Sequence, residues 1–447
     1  MFSNIIKRLS GMQMIASGFF IIILIGTLLL LLPCATKTGE ETSFMTAFFT
    51  STSATCVTGL IVADTFTHWT LFGQVVLLFL IQIGGLGFIT IGITVSMLLR
   101  QKIGLKERGL LRECFNVIEL RGLVRLTKRI IIGTLLFELM GAFILALCFI
   151  PKLGLFNGIY YGIFHSISAF CNAGFDLMGR FSPSSSLTGY NNNPIVMITI
   201  MLLIIIGGIG FYVWNDIYEH KFSFRKYSLH TKLVLTATLV LIFGGALVFY
   251  CIEGNRLFSG MGITEKCLNS LFCSVTPRTA GFNSIDVGAM TDAGKLFTIV
   301  LMFIGGAPGS TAGGVKVTSI VVLIIYIKAT LTRTMGYNVF GRRIDDDALR
   351  KAAAIFCINL TLATTASILL CIFQNFNGID ALLEVFSAIG TVGMSAGLTT
   401  SLKIPAQCII ILLMYLGRVG SLSFAMSFTD KKKITHIMQP SEKINIG

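Results

Sequence analysis

Four short polar segments, evenly spaced inside an otherwise apolar chain, constrain this sequence more than any other feature. They read SATCVTGL, SAFCNAGF, SVTPRTAGF and SAIGTVGM, and their shared glycines are Gly59, Gly174, Gly281 and Gly393. The intervals are 115, 107 and 112 residues. Self-similarity at a fixed period is the signature of one supersecondary unit used repeatedly. A second motif keeps register with the first. IGGLGF begins at Ile83, IGGIGF at Ile206, IGGAPG at Ile304 and LGRVGS at Leu416, so each leading glycine follows its partner by 25, 33, 24 or 24 residues.

Composition places these units in a bilayer. Of 447 residues, 54% are hydrophobic and 13% charged, against about a quarter charged in soluble proteins. Apolar spans lie near 11–33, 70–99, 129–150, 194–216, 230–252, 295–327, 352–373 and 404–428; a membrane helix needs roughly 20 such residues. The first span is too long for a signal-peptide core and no small-residue cleavage site follows Pro33, so it is expected to be a retained helix. Pro33 and Pro151 are expected to close helices, and Pro194 and Pro405 to open them.

The expected architecture is an all-α membrane protein. It has eight transmembrane helices plus four re-entrant pore segments, arranged as four parallel helix–pore loop–helix repeats around a central pore. The repeats are 1–110, 111–225, 226–340 and 341–428, followed by a tail at 429–447. Each unit crosses twice, so successive units face the same way. Inverted units would instead suggest a rocking transporter.

Charge supplies the orientation. The formal net charge is +14, and Arg100 to Arg129 alone holds nine Lys or Arg. Further basic groups lie at Lys221 to Lys232, Lys328 to Lys351 and Lys431 to Lys433. All fall between spans or after the last one, which is positive-inside topology with both termini cytoplasmic, and not a nucleic-acid surface. The tail KKKITHIMQPSEKINIG reads as a cytoplasmic end near anionic lipid. The eleven cysteines show no CxxC pair and lie mostly within apolar spans, as small core side chains do.

Non-helical backbone at membrane depth is tolerated only when buried or lining a wet cavity. Four such segments meeting at an axis present carbonyls that replace the hydration shell of an alkali cation. The expected ring is Val57, Thr58 and Gly59; Asn172, Ala173 and Gly174; Thr279, Ala280 and Gly281; and Thr391, Val392 and Gly393. Glycine takes the positive-φ conformations such a ring needs. The competing reading of each glycine, a small-residue helix contact, explains one motif but not four in register. For the IGG motifs of the first two repeats, ordinary close packing is expected.

The third repeat differs. IGGAPGSTAGGVK interrupts an apolar run that extends from Leu296 to Ile327. A second helix opened over 305–316 is expected, with Gly305, Gly306, Gly309, Ser310, Thr311, Gly313, Gly314 and Lys316 in it. Arg418 aligns with Gly306, which places a fixed cation below the ring. A charge at the bilayer centre costs about 2.5–3.5 kcal/mol on insertion scales. Arg278 is expected to brace the ring from behind, because a cation in the path would repel the permeant ion. Glu138 and Glu384 are candidate partners for Arg278, Lys316 or another repeat's backbone. His165 is expected to be a satisfied core histidine. For Lys316, snorkelling, carbonyl bonding and cavity lining all remain open.

These motifs together resemble the Trk/Ktr/HKT superfamily of cation transporters, in particular the membrane subunits of bacterial Ktr potassium uptake systems. HSISAFCNAGFDL, TPRTAGFN, FIGGAPGSTAGGVK and LGRVGSLSF carry the likeness, which runs from the first helix to Phe428. Cys56 departs from the threonine that relatives often carry. The resemblance implies a potassium-selective pore in each subunit of a homodimer in the bacterial plasma membrane. It implies a gate built from the 305–316 loop and Arg418, and a cytosolic nucleotide-binding ring of the RCK type. Potassium is then the permeant ion and sodium a possible activator, with no covalently bound cofactor. The tail would pack near the partner subunit or the ring.

Other classes fit less well. The five histidines are scattered and there is no H-E-x-x-H or paired-carboxylate pattern, so an enzyme is not expected. GSTAGGVK lacks phosphate-loop spacing and context. A cation-coupled secondary transporter, or a less selective sodium/potassium transporter, is the alternative.

Overall fold

The computed structural model describes residues 11–37, 42–99, 109, 123–221, 223–334, 336–422 and 424. Both chain ends, the 110/111 boundary, Arg100 to Arg121 except Gly109 within the first basic segment, Lys431 to Lys433 and the 429–447 tail lie outside the described residues.

The described chain is almost entirely helical, and its elements fall into four sets. The first set is α1 (Gly11–Leu30), α2 (Phe44–Thr55), α3 (Leu71–Leu86) and α4 (Phe88–Leu98). The second is α5 (Leu123–Leu153), α6 (Leu155–Phe170), α7 (Pro194–Gly208) and α8 (Phe211–His220). The third is α9 (Leu229–Glu253), α10 (Ile263–Val275), α11 (Asp292–Phe303) and α12 (Val317–Leu331). The fourth is α13 (Asp346–Phe373), α14 (Gly378–Gly390) and α15 (Ile404–Val419). A small hairpin, β1 (Asn338–Val339) with β2 (Arg342–Arg343), joins the last two sets.

Helix starts follow local chemistry. Ser43, Thr70, Asn193, Ser228, Thr291 and Asn377 each accept a backbone N–H of the first helical turn, which satisfies donors the helix itself cannot. Pro194 and Pro405 sit in the first turns of α7 and α15. Pro151 departs from expectation. It lies inside α5, and the helix runs on to Leu153 before Gly154, at φ 82°, ends it.

Four helices are individually long and apolar enough to cross a membrane: Gly11–Leu30, Val124–Leu153, Leu229–Glu253 and Asp346–Phe373. Their outer faces carry exposed stripes such as Leu139, Phe143 and Leu147 on α5, or Leu239, Phe243 and Leu247 on α9. Such stripes suit a lipid environment. The pairs Leu71–Leu86 with Phe88–Thr94 and Pro194–Gly208 with Phe211–His220 pass as spans only together, being bent by 95° and 93°. Val317–Leu331 and Ile404–Val419 are apolar but shorter.

Those bends change the picture of the second helices. The sequence suggests that only the third repeat is opened. In the structure α3 and α15 are capped by a glycine of positive φ, Gly87 (81°) and Gly420 (93°), and Ile209 and a positive-φ Gly210 (95°) separate α7 from α8. Only glycine takes that conformation at little steric cost. The third set goes further and replaces the bend with an extended loop between α11 and α12.

In the first, second and fourth repeats the first glycine of the IGG or LGR motif lets a second helix press on the end of a short helix. A β-carbon on Gly84, Gly207 or Gly417 would lie 2.1, 2.0 or 2.3 Å from the carbonyl oxygen of Thr55, Phe170 or Ile389. Each of these oxygens belongs to the residue four positions before the shared glycine of its repeat, Gly59, Gly174 or Gly393. Small-residue contact of this kind is how helices pack where lipid removes the hydrophobic driving force. The apolar core has two main halves. One gathers Leu77, Phe149, Phe164 and Ile200, the other Phe249, Leu301, Phe386 and Ile410.

Candidate functional site: a glycine ring over a loop

The short helices α2, α6, α10 and α14 end at Thr55, Phe170, Val275 and Gly390, just before the four glycine segments. None has a basic residue in its last turn. A helix C-terminus carries about half a negative elementary charge, so four of them set a field that favours a cation.

Beyond each helix the backbone makes the same excursion. The residue two before each glycine has positive φ: Val57 (56°), Asn172 (57°), Thr279 (74°) and Thr391 (51°). So does each glycine: Gly59 (92°), Gly174 (69°), Gly281 (77°) and Gly393 (94°). A non-glycine residue in this region is uncommon, and four at matching positions make one repeated conformation. It is pinned from behind. The N–H groups of Thr58, Ala173 and Val392 donate to the carbonyls of Ser53, Ser168 and Ser387 at 2.8 Å, and that of Ala280 to Thr276 at 3.0 Å.

The four segments close on one another. A β-carbon on Gly59 would lie 2.4 Å from the Ala173 carbonyl oxygen and 3.1 Å from the Gly174 α-carbon. Gly174 stands likewise to Ala280 (2.8 Å) and Gly281 (3.1 Å), Gly281 to Val392 (2.2 Å) and Gly393 (3.1 Å), and Gly393 to Thr58 (2.1 Å) and Gly59 (2.9 Å). The cycle runs first to second to third to fourth and back, so the first and third segments are opposite each other. A methyl group at any ring glycine would strike a carbonyl of its neighbour. Asn172 and Thr279 add a side-chain hydrogen bond of 3.1 Å between adjacent segments.

The Ile304–Lys316 loop lies against this ring. A β-carbon on Gly313 would be 2.1 Å from Thr391 Oγ1, and one on Gly314 would be 3.0 Å from the Gly390 α-carbon. Thr311 Oγ1 donates to the Phe170 carbonyl at 3.2 Å. The loop also uses carbonyls left free where the second helices bend. Ala307 N–H donates to Gly208 (2.9 Å), Thr311 N–H to Gly207 (3.3 Å) and Gly314 N–H to Gly417 (3.2 Å). In return Phe211 N–H donates to Gly309 at 2.8 Å. Within the loop Gly305 N–H donates to Val315 at 2.8 Å, Val317 N–H to Gly306 at 3.0 Å and Ser310 Oγ to Ala307 at 2.6 Å.

Arg418 completes the layer. It stands where the first three motifs carry Gly85, Gly208 and Gly306. Its guanidinium donates to the Thr311 carbonyl in the loop, to Gly84 and, at 3.0 Å, to Gly85. Repeats one and three are opposite in the ring, so the side chain reaches carbonyls on both sides of the axis. Lys316 Nζ donates to the carbonyls of Ala312 (2.5 Å) and Gly313 (3.3 Å). Of the three roles open to Lys316, carbonyl bonding is the one observed.

The remaining ionisable groups have local partners. Arg278 is buried and donates through Nη2 to Thr238 Oγ1 of α9 at 3.3 Å. Glu384 pairs with neither Arg278 nor Lys316. It accepts the hydroxyls of Ser395 (2.7 Å) and Thr399, and so ties α14 to the segment after Gly393. Glu138 accepts Gln82 Nε2 on both oxygens, at 3.0 and 3.2 Å, and links the first two sets. His165 accepts Leu177 N–H on Nε2 at 3.3 Å, which leaves Nδ1–H to donate to the Tyr161 carbonyl at 2.8 Å. That is a neutral histidine with both nitrogens satisfied. Among the described residues no group of three or more His, Cys, Asp or Glu is placed to hold a metal ion.

Apolar helices of membrane-spanning length packed around a ring of backbone carbonyls are the architecture of a multi-pass membrane protein. More narrowly, the model of the TrkH family, described as cation transport protein, matches residues 7–437, and the chain belongs to that family. It is 41% identical to the potassium/sodium uptake protein NtpJ of Enterococcus hirae, over 99% of this chain and 98% of that one. It is 40% identical to the Ktr system potassium uptake protein B of Bacillus subtilis, over 98% and 97%. Among solved structures, that of the potassium transporter TrkH from Vibrio parahaemolyticus superposes with a TM-score of 0.70 at 19% identity. It covers 93% of this chain and 85% of that one, a likeness of fold.

Proposed function

We propose that the chain carries potassium through the glycine ring, with each subunit holding its own pore of eight transmembrane helices and four re-entrant segments. The closed cycle Gly59–Gly174–Gly281–Gly393 is the observation that carries this reading. Its carbonyls replace water around a desolvated cation, and the four short-helix ends supply the favourable field. The 305–316 loop and Arg418 act as the gate, since together they lie under the ring and bond to every repeat. Arg278 and Glu384 hold the surroundings of the ring.

The Ktr name of one relative supports a membrane subunit that works with other components. In this reading a homodimer sits in the bacterial plasma membrane with both termini cytoplasmic. A cytosolic nucleotide-binding RCK ring controls it and sodium stimulates it. Uptake follows from a negative-inside potential, about 2.3 kcal/mol per charge per 100 mV. The name of the other relative, potassium/sodium uptake protein, favours a second reading in which sodium also passes. Ion flux into liposomes holding the purified protein, with potassium and sodium compared and an RCK partner added or withheld, tests both. Absence of potassium flux under every condition rejects the first reading, and equal fluxes favour the second.

A further inference from the structure

Each filter segment is preceded by a buried hydroxyl, and the four hydroxyls do not do the same thing. Ser53 Oγ accepts the N–H of Gly59 at 3.1 Å, and Ser387 Oγ accepts that of Gly393 at 3.0 Å. Ser168 Oγ instead donates to the carbonyl of Phe175 at 2.7 Å, and Thr276 Oγ1 to that of Phe282 at 2.6 Å. All four side chains are buried.

The difference matters because a peptide unit is planar and trans, so its N–H and C=O point in opposite directions. The N–H of Gly59 shares a plane with the carbonyl of Thr58, and that of Gly393 with the carbonyl of Val392. Holding the N–H from behind therefore turns the carbonyl toward the ring. Those two oxygens are ones a β-carbon on Gly393 or Gly281 would meet, at 2.1 and 2.2 Å. In the second and third segments the hydroxyl holds the carbonyl one residue past the glycine, and the Ala173 and Ala280 carbonyls reach the ring without a hydroxyl behind them. The shared backbone bonds described above fix the preceding peptide in all four segments; in the third the Gly281 N–H is also held, by the Thr276 backbone carbonyl at 3.4 Å, so a backbone acceptor stands there where Ser53 and Ser387 use a hydroxyl.

We infer that Ser53 and Ser387 are positioning residues for ion selection, which they serve by aiming the Thr58 and Val392 carbonyls, whereas the side chains of Ser168 and Thr276 hold only the carbonyl that follows the glycine in their segments. The inference rests on the ring being the selectivity filter. The sequence carries the difference weakly. The first, second and fourth motifs place serine six residues before glycine, while in the third the corresponding hydroxyl is Thr276, five residues before.

The test is potassium-over-sodium flux in liposomes for Ser53→Ala, Ser387→Ala, Ser168→Ala and Thr276→Val, beside Ser53→Thr, Ser387→Thr and Gly393→Ser. Thermal unfolding in detergent confirms that each variant folds. The ratio is expected to fall about fivefold in Ser53→Ala and Ser387→Ala, the change that one net hydrogen bond carries. It is expected to stay near wild type in Ser168→Ala and Thr276→Val and to be kept by the threonine variants. An unchanged ratio in both alanine variants, with a lowered ratio in Gly393→Ser, overturns the inference and leaves the filter reading standing. An unchanged ratio in Gly393→Ser overturns both. Equal loss in Ser168→Ala and Ser53→Ala overturns the carbonyl-aiming argument. Should an alanine variant not fold, Ser53→Cys and Ser387→Cys replace it with a weaker acceptor, and a wild-type ratio there also overturns the inference.

Discussion

Arg418, on the last described helix, donates to the carbonyl of Gly85 at 3.0 Å, 333 residues earlier in the chain. The same guanidinium bonds Thr311 of the intramembrane loop. A single side chain thus closes the layer beneath the ring and sets a fixed positive charge there. Replacing it with glutamine, Arg418→Gln, removes the charge and weakens both ties. Flux in the absence of any partner is expected to rise at least about tenfold, since a like charge nearby raises the barrier by several kcal/mol even at an effective dielectric of 20. Liposome flux without a regulatory protein measures it. A lower flux in a folded variant would mean that the arginine supports conduction instead.

Deleting Gly306 to Ala312 shortens the loop and removes the N–H donors that bond Gly207 and Gly208. Flux is expected to increase and its dependence on an added partner to weaken. Both are read in the same liposomes with and without the RCK component. Reduced conduction by a folded deletion variant counts against a gate.

Gly174→Ser and Gly281→Ser each place a side chain where the β-carbon lies 2.8 or 2.2 Å from a neighbouring carbonyl oxygen. Both positions have positive φ, so the strain is conformational as well as steric. The potassium-over-sodium ratio is expected to fall in both variants, measured from competitive flux. Wild-type ratios in both would show that selection happens elsewhere.

Gly207→Val tests packing apart from permeation. Its β-carbon would be 2.0 Å from the Phe170 carbonyl oxygen, which is backbone and cannot swing away. Overpacking costs about 1–3 kcal/mol and often more when backbone must move. Thermal unfolding in detergent should report a clear loss of stability. A control substitution at Gly244 on α9, where nothing lies within 4 Å of an added β-carbon, should be nearly silent.

The glycines of the ring and the IGG motifs were legible because their period survives in the sequence, and because only glycine serves where a β-carbon would meet backbone. The bends at Gly87 and Gly210 were not. Each is a third glycine inside a run so apolar that composition alone favours a continuous helix. The partners of Glu384 were hidden for another reason. Ser395 and Thr399 lie 11 and 15 residues away, beyond the glycine segment, and α14 ends at Gly390 between them and Glu384, so helix periodicity says nothing about the contact. Arg418 could be placed at the right depth by alignment with Gly306. Which carbonyls it bonds depends on the order of repeats around the axis, and that order is a property of the assembled ring.

The closed ring has a further meaning for how near-symmetric repeats acquire individuality. Four quarters drawn from four identical chains would repeat every change fourfold, so an arginine beneath the ring would become a crown of four mutually repelling charges. Here all four quarters belong to one chain. One quarter keeps the arginine, another the opened loop, and two keep plain glycine bends. A single covalent thread therefore lets near-symmetric architecture carry parts that occur only once.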